Sequence, residues 1–432
     1  MIERPIARNS KTVWIVNPYG TLPSETWATY RSTMLASCLA EHGYRVTQFV
    51  SNFEHRSKTF RTTGHEVRQI GPNYLIHVVP STRYDSHISL ARVRYERTFA
   101  RNVVAIAGTG PLPDFVVLAE PALFYYDILL GPLIRSGTST LVLDVIDIWP
   151  ELFELIVPRP LRPLSDVLLA PLHYWRKRLY RYPKAIVAVA DDYLDLAKRL
   201  AARPGVIFET VYWSYDGRES GVANADQRVA SLVNEKMPAE IWIVYAGTLG
   251  ENYDIEAIID ATAHLARDQD HHVRFRVLIA GDGPLRERCE RINNEHIVFL
   301  GRLGAAELRQ LYAHCDIALS TYKGESTVAM PIKAFDYLSH GLPVVNSLGR
   351  DLGALVRDRH IGINYTAGSS VSLAEAIKRL LLDRDLRATC ATNAAALAEE
   401  FRADRQYLKF VAVLRSLEGR RGATENPMPG TR

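Results

Sequence analysis

Short runs of β-branched and apolar residues alternate with longer amphipathic stretches along this chain, and the alternation runs through twice. In the first half the runs lie at 13–17, 45–50, 115–118, 141–146 and 185–189, with helical periodicity between them at 25–41 and 122–135. Strand-helix-strand units bury both kinds of apolar face when the strands form a parallel sheet with helices on its two sides. A polar segment at 216–240 is followed by a second set of runs at 242–246, 274–280, 297–300, 317–320 and 344–346. The pattern predicts an α/β chain of two doubly wound domains, 1–220 and 221–390, then a helical segment 391–419 and a disordered Gly- and Pro-containing tail, 420–432. Open sheets of this kind bind ligands beyond the carboxyl ends of their strands, so the expected site is a central cleft that the two domains face.

Composition narrows the function classes. The 432 residues are 47% hydrophobic and 23% charged, which describes a globular protein, and the length suits two large domains. A net charge of +4, from 52 Lys and Arg against 48 Asp and Glu, is too small to mark a nucleic-acid binder, and none is expected as a partner. The surplus is nevertheless uneven: 26 basic against 21 acidic residues through 220, and 26 against 27 beyond. No acidic residue occurs between 167 and 190, where LHYWRKRLYRYPK (172–184) interleaves aromatic residues with cations. Such a segment either docks on an anionic membrane surface through Trp175, Arg176, Lys177 and Arg178, or is a helix with aromatics packed inward and cations in water. Cys38, Cys289, Cys315 and Cys390 have no metal-ligand spacing and read as reduced thiols of a cytoplasmic protein. The opening segment carries acid and only a short apolar run, unlike a signal peptide. The longest apolar stretch, 116–134, is interrupted by Glu120, Pro121 and Asp127 and is no spanning helix.

The most informative segment is GESTVAMPIKAFDYLSHGLPVV, 324–345. Pro331 suits the first position of a helix that runs to about His340, with Gly341 ending it before the next strand. Lys333 and Asp336 are three apart on that helix. Free N–H groups at a helix start with an ammonium beside them suit a diphosphate, and a carboxylate one turn on suits ribose hydroxyls; the same spacing is also that of a surface salt pair.

Here the sequence resembles the group 1 glycosyltransferases of the GT-B fold, particularly bacterial polysaccharide-assembly enzymes with a P-x-K-x-F-[DE]-Y-x-x-x-G-x-P-V-V signature. Pro331, Lys333, Phe335, Asp336, Tyr337, Gly341, Pro343, Val344 and Val345 carry it. YAGTLG (245–250), IAGDGP (279–284), FLGRL (299–303), PDFVVLAEP (113–121) and DIWPE (147–151) extend the likeness in order along the chain. The resemblance implies two Rossmann-like domains, with C-terminal helices crossing back to the first. It implies a nucleotide-diphosphate sugar donor, UDP- or GDP-linked, with no further cofactor or metal. Gly247 would admit the donor phosphates. The Arg and Lys that such enzymes often carry near this glycine are replaced by Thr248 and Tyr253, which leaves Lys333 as the diphosphate's cation. The first of two glutamates eight apart falls on Val328, with Glu325 nearby as a substitute, and the second on Asp336. Gly281, Gly283, Gly301 and Arg302 resemble the nucleotide-base pocket, or are tight strand-to-helix turns.

In the first domain, NPYGTLPS (17–24) resembles an acceptor-side loop built on Tyr19 and Gly20. Asp147 follows the strand LVLDVI and stands where a general base would take a proton from an acceptor hydroxyl, or where an N-cap would start the next helix. The expected activity is transfer of a sugar to a glycan or a polyprenyl-diphosphate-linked acceptor in polysaccharide assembly, at the inner face of a membrane. A nucleotide-sugar 2-epimerase of the same fold is an alternative. So is a silent scaffold subunit, which the replacements at Val328, Thr248 and Tyr253 would suit.

Overall fold

The protein is described from a computed structural model covering residues 10–25, 31–86, 88–135, 137–154, 157, 159–215, 227–268, 273–292 and 294–425. Parts of three expected features lie outside these residues: the opening segment, 216–226 of the polar connection, and 426–432 of the tail. The chain forms two compact units, one of residues up to Tyr212 together with those from Asp404 on, the other from Trp213 to Ala403.

Unit 1 has an eight-stranded sheet. In chain order its strands are β1 (Thr12–Val16), β2 (Arg45–Ser51), β3 (Glu66–Gly71), β4 (Tyr74–Val79), β5 (Phe115–Glu120), β6 (Thr140–Val145), β7 (Ala185–Ala188) and β8 (Ile207–Thr210). They lie in the order β8-β7-β6-β5-β1-β2-β4-β3, parallel throughout except for the β3–β4 hairpin at the edge. Every residue of β5 and β6 is buried, as expected of strands covered on both faces. The hairpin is invisible to a search for apolar runs because edge strand β3 (EVRQIG) is mostly polar and exposed. Of the expected helix at 25–41, α1 is Arg31–Glu41, and Thr26 to Tyr30 lie outside the described residues. The 122–135 stretch is a single turn, Tyr126–Leu129, continued as a π-helix over Leu130–Arg135. Two longer helices, α2 (Leu90–Ala107) and α3 (Ser165–Leu179), lie in the chain between β4 and β5 and between β6 and β7.

Unit 2 has the strands β9 (Ile241–Ala246), β10 (Phe275–Ala280), β11 (Ile297–Gly301), β12 (Ile317–Ser320), β13 (Val344–Asn346) and β14 (Gly362–Asn364). All are parallel, in the order β11-β10-β9-β12-β13-β14, so the order reverses beside β9. Its core packs β9, β10 and β12 against Ile255–Arg267 and Ser370–Leu382, with Ile243, Tyr245, Ile258, Ile279, Leu373 and Ile377 buried. The helix of the signature motif is α4 (Ile332–Ser339).

The units divide at 212/213 and 403/404, and the helix Arg384–Ala398 stays with unit 2. The chain returns to unit 1 through α5 (Ala403–Glu425), whose Tyr407, Phe410, Val411 and Leu414 are buried. That helix carries helical structure to Glu425, into the segment the sequence pattern leaves disordered. Arg31, wholly buried, fixes the return: its Nε and Nη2 donate to Asp144 at 2.7–3.0 Å, its Nη1 donates to the Val211 carbonyl at 2.6 Å, and its guanidinium lies 5.8 Å from the Tyr407 ring centre.

Candidate active site

In unit 2 the loops leaving β9, β10, β11 and β12 are stitched together by their own backbones. Gly247 N–H donates to the Ala280 carbonyl at 2.9 Å, Leu249 N–H to Asp282 at 3.0 Å, Gly281 N–H to Gly301 at 2.7 Å and Lys323 N–H to Asn252 at 3.2 Å. The glycines permit this approach. A Cβ on Gly281 (φ +154°) would stand 1.8 Å from the Gly247 carbonyl oxygen, and one on Gly283 would stand 2.4 Å from that of Leu249. Loop packing therefore accounts for both residues without a ligand. Gly301 ends β11 in the interior, and Arg302 beyond it is exposed.

Pro331 is the N-cap of α4 rather than its first helical residue, with extended torsions of −76° and 143°. Gly341 (φ +64°) ends the helix, its N–H donating to Leu338 and that of Leu342 to Tyr337. Tyr337 ties α4 to the strand ends: its hydroxyl accepts from Ala246 N–H at 2.9 Å and donates to the Leu319 carbonyl at 3.3 Å. From the first turn, Lys333 reaches into three tyrosine rings, with Nζ 4.1 Å from the centre of Tyr245, 4.7 Å from Tyr253 and 5.0 Å from Tyr322. A Cβ on Gly247 would lie 3.0 Å from that ammonium, so the glycine leaves the approach to it open. Nζ is buried and has no hydrogen-bond partner among the described residues. Burial pulls it down to about 7.

The surface salt pair with Asp336 is thus not formed. Burial raises the Asp336 carboxyl to about 6, and its opposing charge is Arg309. Tyr253, standing where the resemblance expects a lysine, instead supplies one wall of the Lys333 cage. Thr248 is exposed, and its carbonyl accepts from the Tyr245 hydroxyl at 2.9 Å. Glu325 is exposed on a turn closed by Ser326 N–H donating to Lys323, outside the ring of residues that enclose Lys333.

In unit 1 the strand order reverses between β1 and β5. After β1, the Asn17 side chain accepts from Tyr19 N–H at 3.0 Å, and Gly20 packs so tightly that a Cβ would meet Val50 at 2.7 Å. Tyr19 is buried rather than offered on an open loop. Its hydroxyl donates to Glu96 and accepts from Arg92 Nε at 3.0 Å. Arg92 also pairs with Glu96 at 3.2 Å and lies 4.4 Å from the Trp149 ring centre. Glu96 is fully buried, which raises its carboxyl to about 7.

Asp147 follows β6. Its carboxylate accepts from Ile148 N–H at 2.9 Å, and the next helix begins only at Glu151, so it is not that helix's N-cap. Burial holds its carboxyl above the usual range, with Arg92 acting in the opposite direction. The geometry leaves a half-buried carboxylate of raised affinity for a proton at a strand's carboxyl end.

Residues 240–383 match a family model described as "Glycosyl transferases group 1". That segment is a group 1 glycosyltransferase domain. Over 257 residues the chain is 26% identical to the chitobiosyldiphosphodolichol beta-mannosyltransferase of Eremothecium gossypii, a match covering 53% of this chain and 52% of the relative. The chain spans little more than half the length of the curated relatives it matches, 52% and 61%. Among solved structures, sucrose-phosphate synthase from Thermosynechococcus elongatus superposes with a TM-score of 0.71 at 14% identity, over 95% of this chain and 99% of that one. HepE of Anabaena in complex with UDP-glucose gives 0.63 at 16% identity, over 94% and 100%. The fold is GT-B, with two Rossmann-like units.

Two features of unit 1 were not legible in the sequence. Arg176 is buried: its Nη2 donates to Glu151 at 2.7 Å and its Nη1 to the Trp149 carbonyl at 2.7 Å, so of the expected membrane cations it is withdrawn from the surface. Lys177 is exposed, Arg178 lies 5.5 Å from the half-buried Trp175 ring, and Tyr174 projects into solvent. Glu120, the last residue of β5, is fully buried, accepts from the Tyr180 hydroxyl and is raised by burial to about 8. Its only sequence signal was an acid ending an apolar run. Among the described residues no helix is long and apolar enough to cross a membrane.

Proposed function

We propose that the chain is a glycosyltransferase that moves a sugar from a nucleotide-diphosphate donor to a hydroxyl of a glycan or lipid-linked acceptor. The observation that carries this reading is the Lys333 ammonium, buried at Gly247 beside the start of α4 with no hydrogen-bond partner among the described residues. A buried cation without an anion is costly, and a diphosphate would supply the missing charge. Lys333 and the first N–H groups of α4 would then stabilise the diphosphate as it leaves. In the transfer the acceptor oxygen bonds to the sugar's anomeric carbon, the bond from that carbon to the diphosphate oxygen breaks, and the hydroxyl proton passes to Asp147. Asp336 and Arg302 would contact the nucleoside.

UDP-glucose bound by HepE and the lipid-linked acceptor in the mannosyltransferase's name support a UDP-sugar donor and a lipid-borne acceptor here. Lys177, Arg178 and Tyr174 would bring such an enzyme to the anionic inner face of a membrane. The decisive experiment measures UDP release from UDP-sugars with and without acceptor. Acceptor-dependent release supports transfer; interconversion of free UDP-sugar without release would make the chain an epimerase. Binding with neither reaction would make it a scaffold.

A further inference from the structure

A cavity of about 420 Å³ lies in unit 1 at the amino ends of its strands. Its floor is Ser139, Thr140 and Leu141, where β6 begins, and Lys184, the residue before β7. Ile134 of the π-helix, Gly205 of the loop before β8 and Leu417 of α5 close its sides. Asp147 follows the other end of β6, so at about 3.3 Å per residue the cavity is roughly 20 Å from the proposed base. The volume is that of an ordinary small-molecule site.

Among the described residues that line it, the charged ones are Lys184 and Arg420, both cations. Two more stand at its edge. Arg135 Nη2 donates to the hydroxyl of the lining residue Tyr182 at 3.2 Å, and Arg203 donates to the carbonyl of Pro183, next to Lys184. Arg420 Nη1 donates to the Gly205 carbonyl at 2.6 Å. Segments far apart in the chain therefore bring four cationic side chains to one hollow. Arg203 Nε is buried with no hydrogen-bond partner among the described residues, and burial alone pulls that guanidinium down. No carboxylate among the described residues pairs with Arg135 or Lys184. Asp114, whose carbonyl accepts from Thr140 N–H, is itself taken by Lys11 at 2.9 Å. Other arginines of unit 1 are matched: Arg31 by Asp144, Arg61 by Glu25 and Arg97 by Asp127.

Cations gathered without counter-charge suit a small anion that carries more than one negative charge. A phosphate monoester carries nearly two at neutral pH, and guanidinium forks match its oxygens in pairs. A lipid headgroup would need a seat for its chains, but none of the large apolar side chains exposed on this protein lines the cavity. A nucleic acid would need the cations spread along a groove. Inorganic phosphate would leave most of the volume empty, whereas the hydroxyl-bearing Ser139, Thr140 and Tyr182 suit a hydroxylated body. We infer that this cavity binds a soluble phosphate monoester of sugar size, its phosphate among Arg135, Lys184, Arg203 and Arg420. The site stands apart from the transferase reading, since none of these residues belongs to the donor or acceptor machinery.

The test is isothermal calorimetry of the full chain with glucose 6-phosphate, in excess UDP so that the donor site is occupied. The expected result is binding to one site, at least tenfold tighter than that of glucose or inorganic phosphate and weakening as salt is added. Lys184 and Arg135 are both exposed, so K184E and R135E should each keep the wild-type melting temperature while lowering affinity at least tenfold. Lys333→Met should bind glucose 6-phosphate as the wild type does. No binding in the presence of UDP, wild-type affinity in both K184E and R135E, or inorganic phosphate binding as tightly as the ester would each overturn the inference. So would binding to phosphatidic acid vesicles without binding of the soluble ester, which would make these cations a membrane contact.

Discussion

Lys333 is held by three tyrosine rings and, among the described residues, by no anion, and its behaviour with pH follows from that. A diphosphate favours the charged ammonium, whose pKa in the free protein is about 7. UDP affinity should therefore fall as pH rises through 7, by up to about tenfold per pH unit. Titrations of Lys333→Met should show affinity at least about tenfold weaker and a flatter profile between pH 6 and 9; an unchanged profile would remove Lys333 from the site. The folded-state pKa lies below the ordinary 10.5, so the unfolded chain holds a proton that the folded one releases between those values. Stability then rises with pH across that window. Replacing a buried, unpaired cation with an apolar side chain should stabilise the unliganded protein at pH 7, by about 1 kcal/mol or more in chemical denaturation, although it weakens UDP. Asp147→Asn should behave oppositely, with UDP affinity kept and turnover reduced roughly 10²- to 10⁴-fold. Lys333, Gly247 and Asp147 could be singled out as candidates because their neighbours form a spaced motif. The Arg92–Glu96 pair could not, since an Arg and a Glu four apart on a helix look the same in sequence whether they face water or the interior.

At the scale of elements, the strands buried on both faces were legible because each is a continuous β-branched run, and β12 and β13 match their expected bounds. The failures came where an element's identity depends on a partner distant in sequence. Edge strand β3 exists because β4 pairs with it, and the exposed face gives it no apolar signature. On α3 the composition suggested a cationic face, but Glu151, twenty-five residues earlier, draws Arg176 inward. Arg176→Ala should accordingly act on stability rather than on membrane binding, lowering unfolding free energy by about 2–4 kcal/mol, because it leaves Glu151 and the Trp149 carbonyl without their donor. Liposome flotation should instead respond to K177E/R178E, at unchanged melting temperature. If Arg176→Ala left stability at the wild-type value and abolished flotation, the buried pairing would be wrong.

The whole molecule is organised by a chain that leaves unit 1 at Tyr212 and comes back at Asp404. The return had a helical signature in the sequence, but its destination is set by contacts across nearly four hundred residues. Asp144 pairs with Arg31, whose guanidinium lies by Tyr407, while Gln406 accepts from Tyr212 N–H at 3.1 Å. Arg31 and Asp144 are both buried, so removing one leaves the other charged in a site of low polarity. Arg31→Met alone should cost about 3–5 kcal/mol, whereas R31M/D144L should recover most of the loss. Hydrogen exchange can separate this from the donor site. Arg31→Met, or truncation after Arg402, should raise exchange in β6 and β8 of unit 1. Saturating UDP should instead slow exchange in the loops after β9 and β12 and at the start of α4, since a ligand at a hundred times its dissociation constant adds about 2.7 kcal/mol to the state that binds it. Should Arg31→Met raise exchange around Lys333 as strongly as around β6, the structural return through α5 and the donor site would be one cooperative unit, and the two-unit account of this chain would fail.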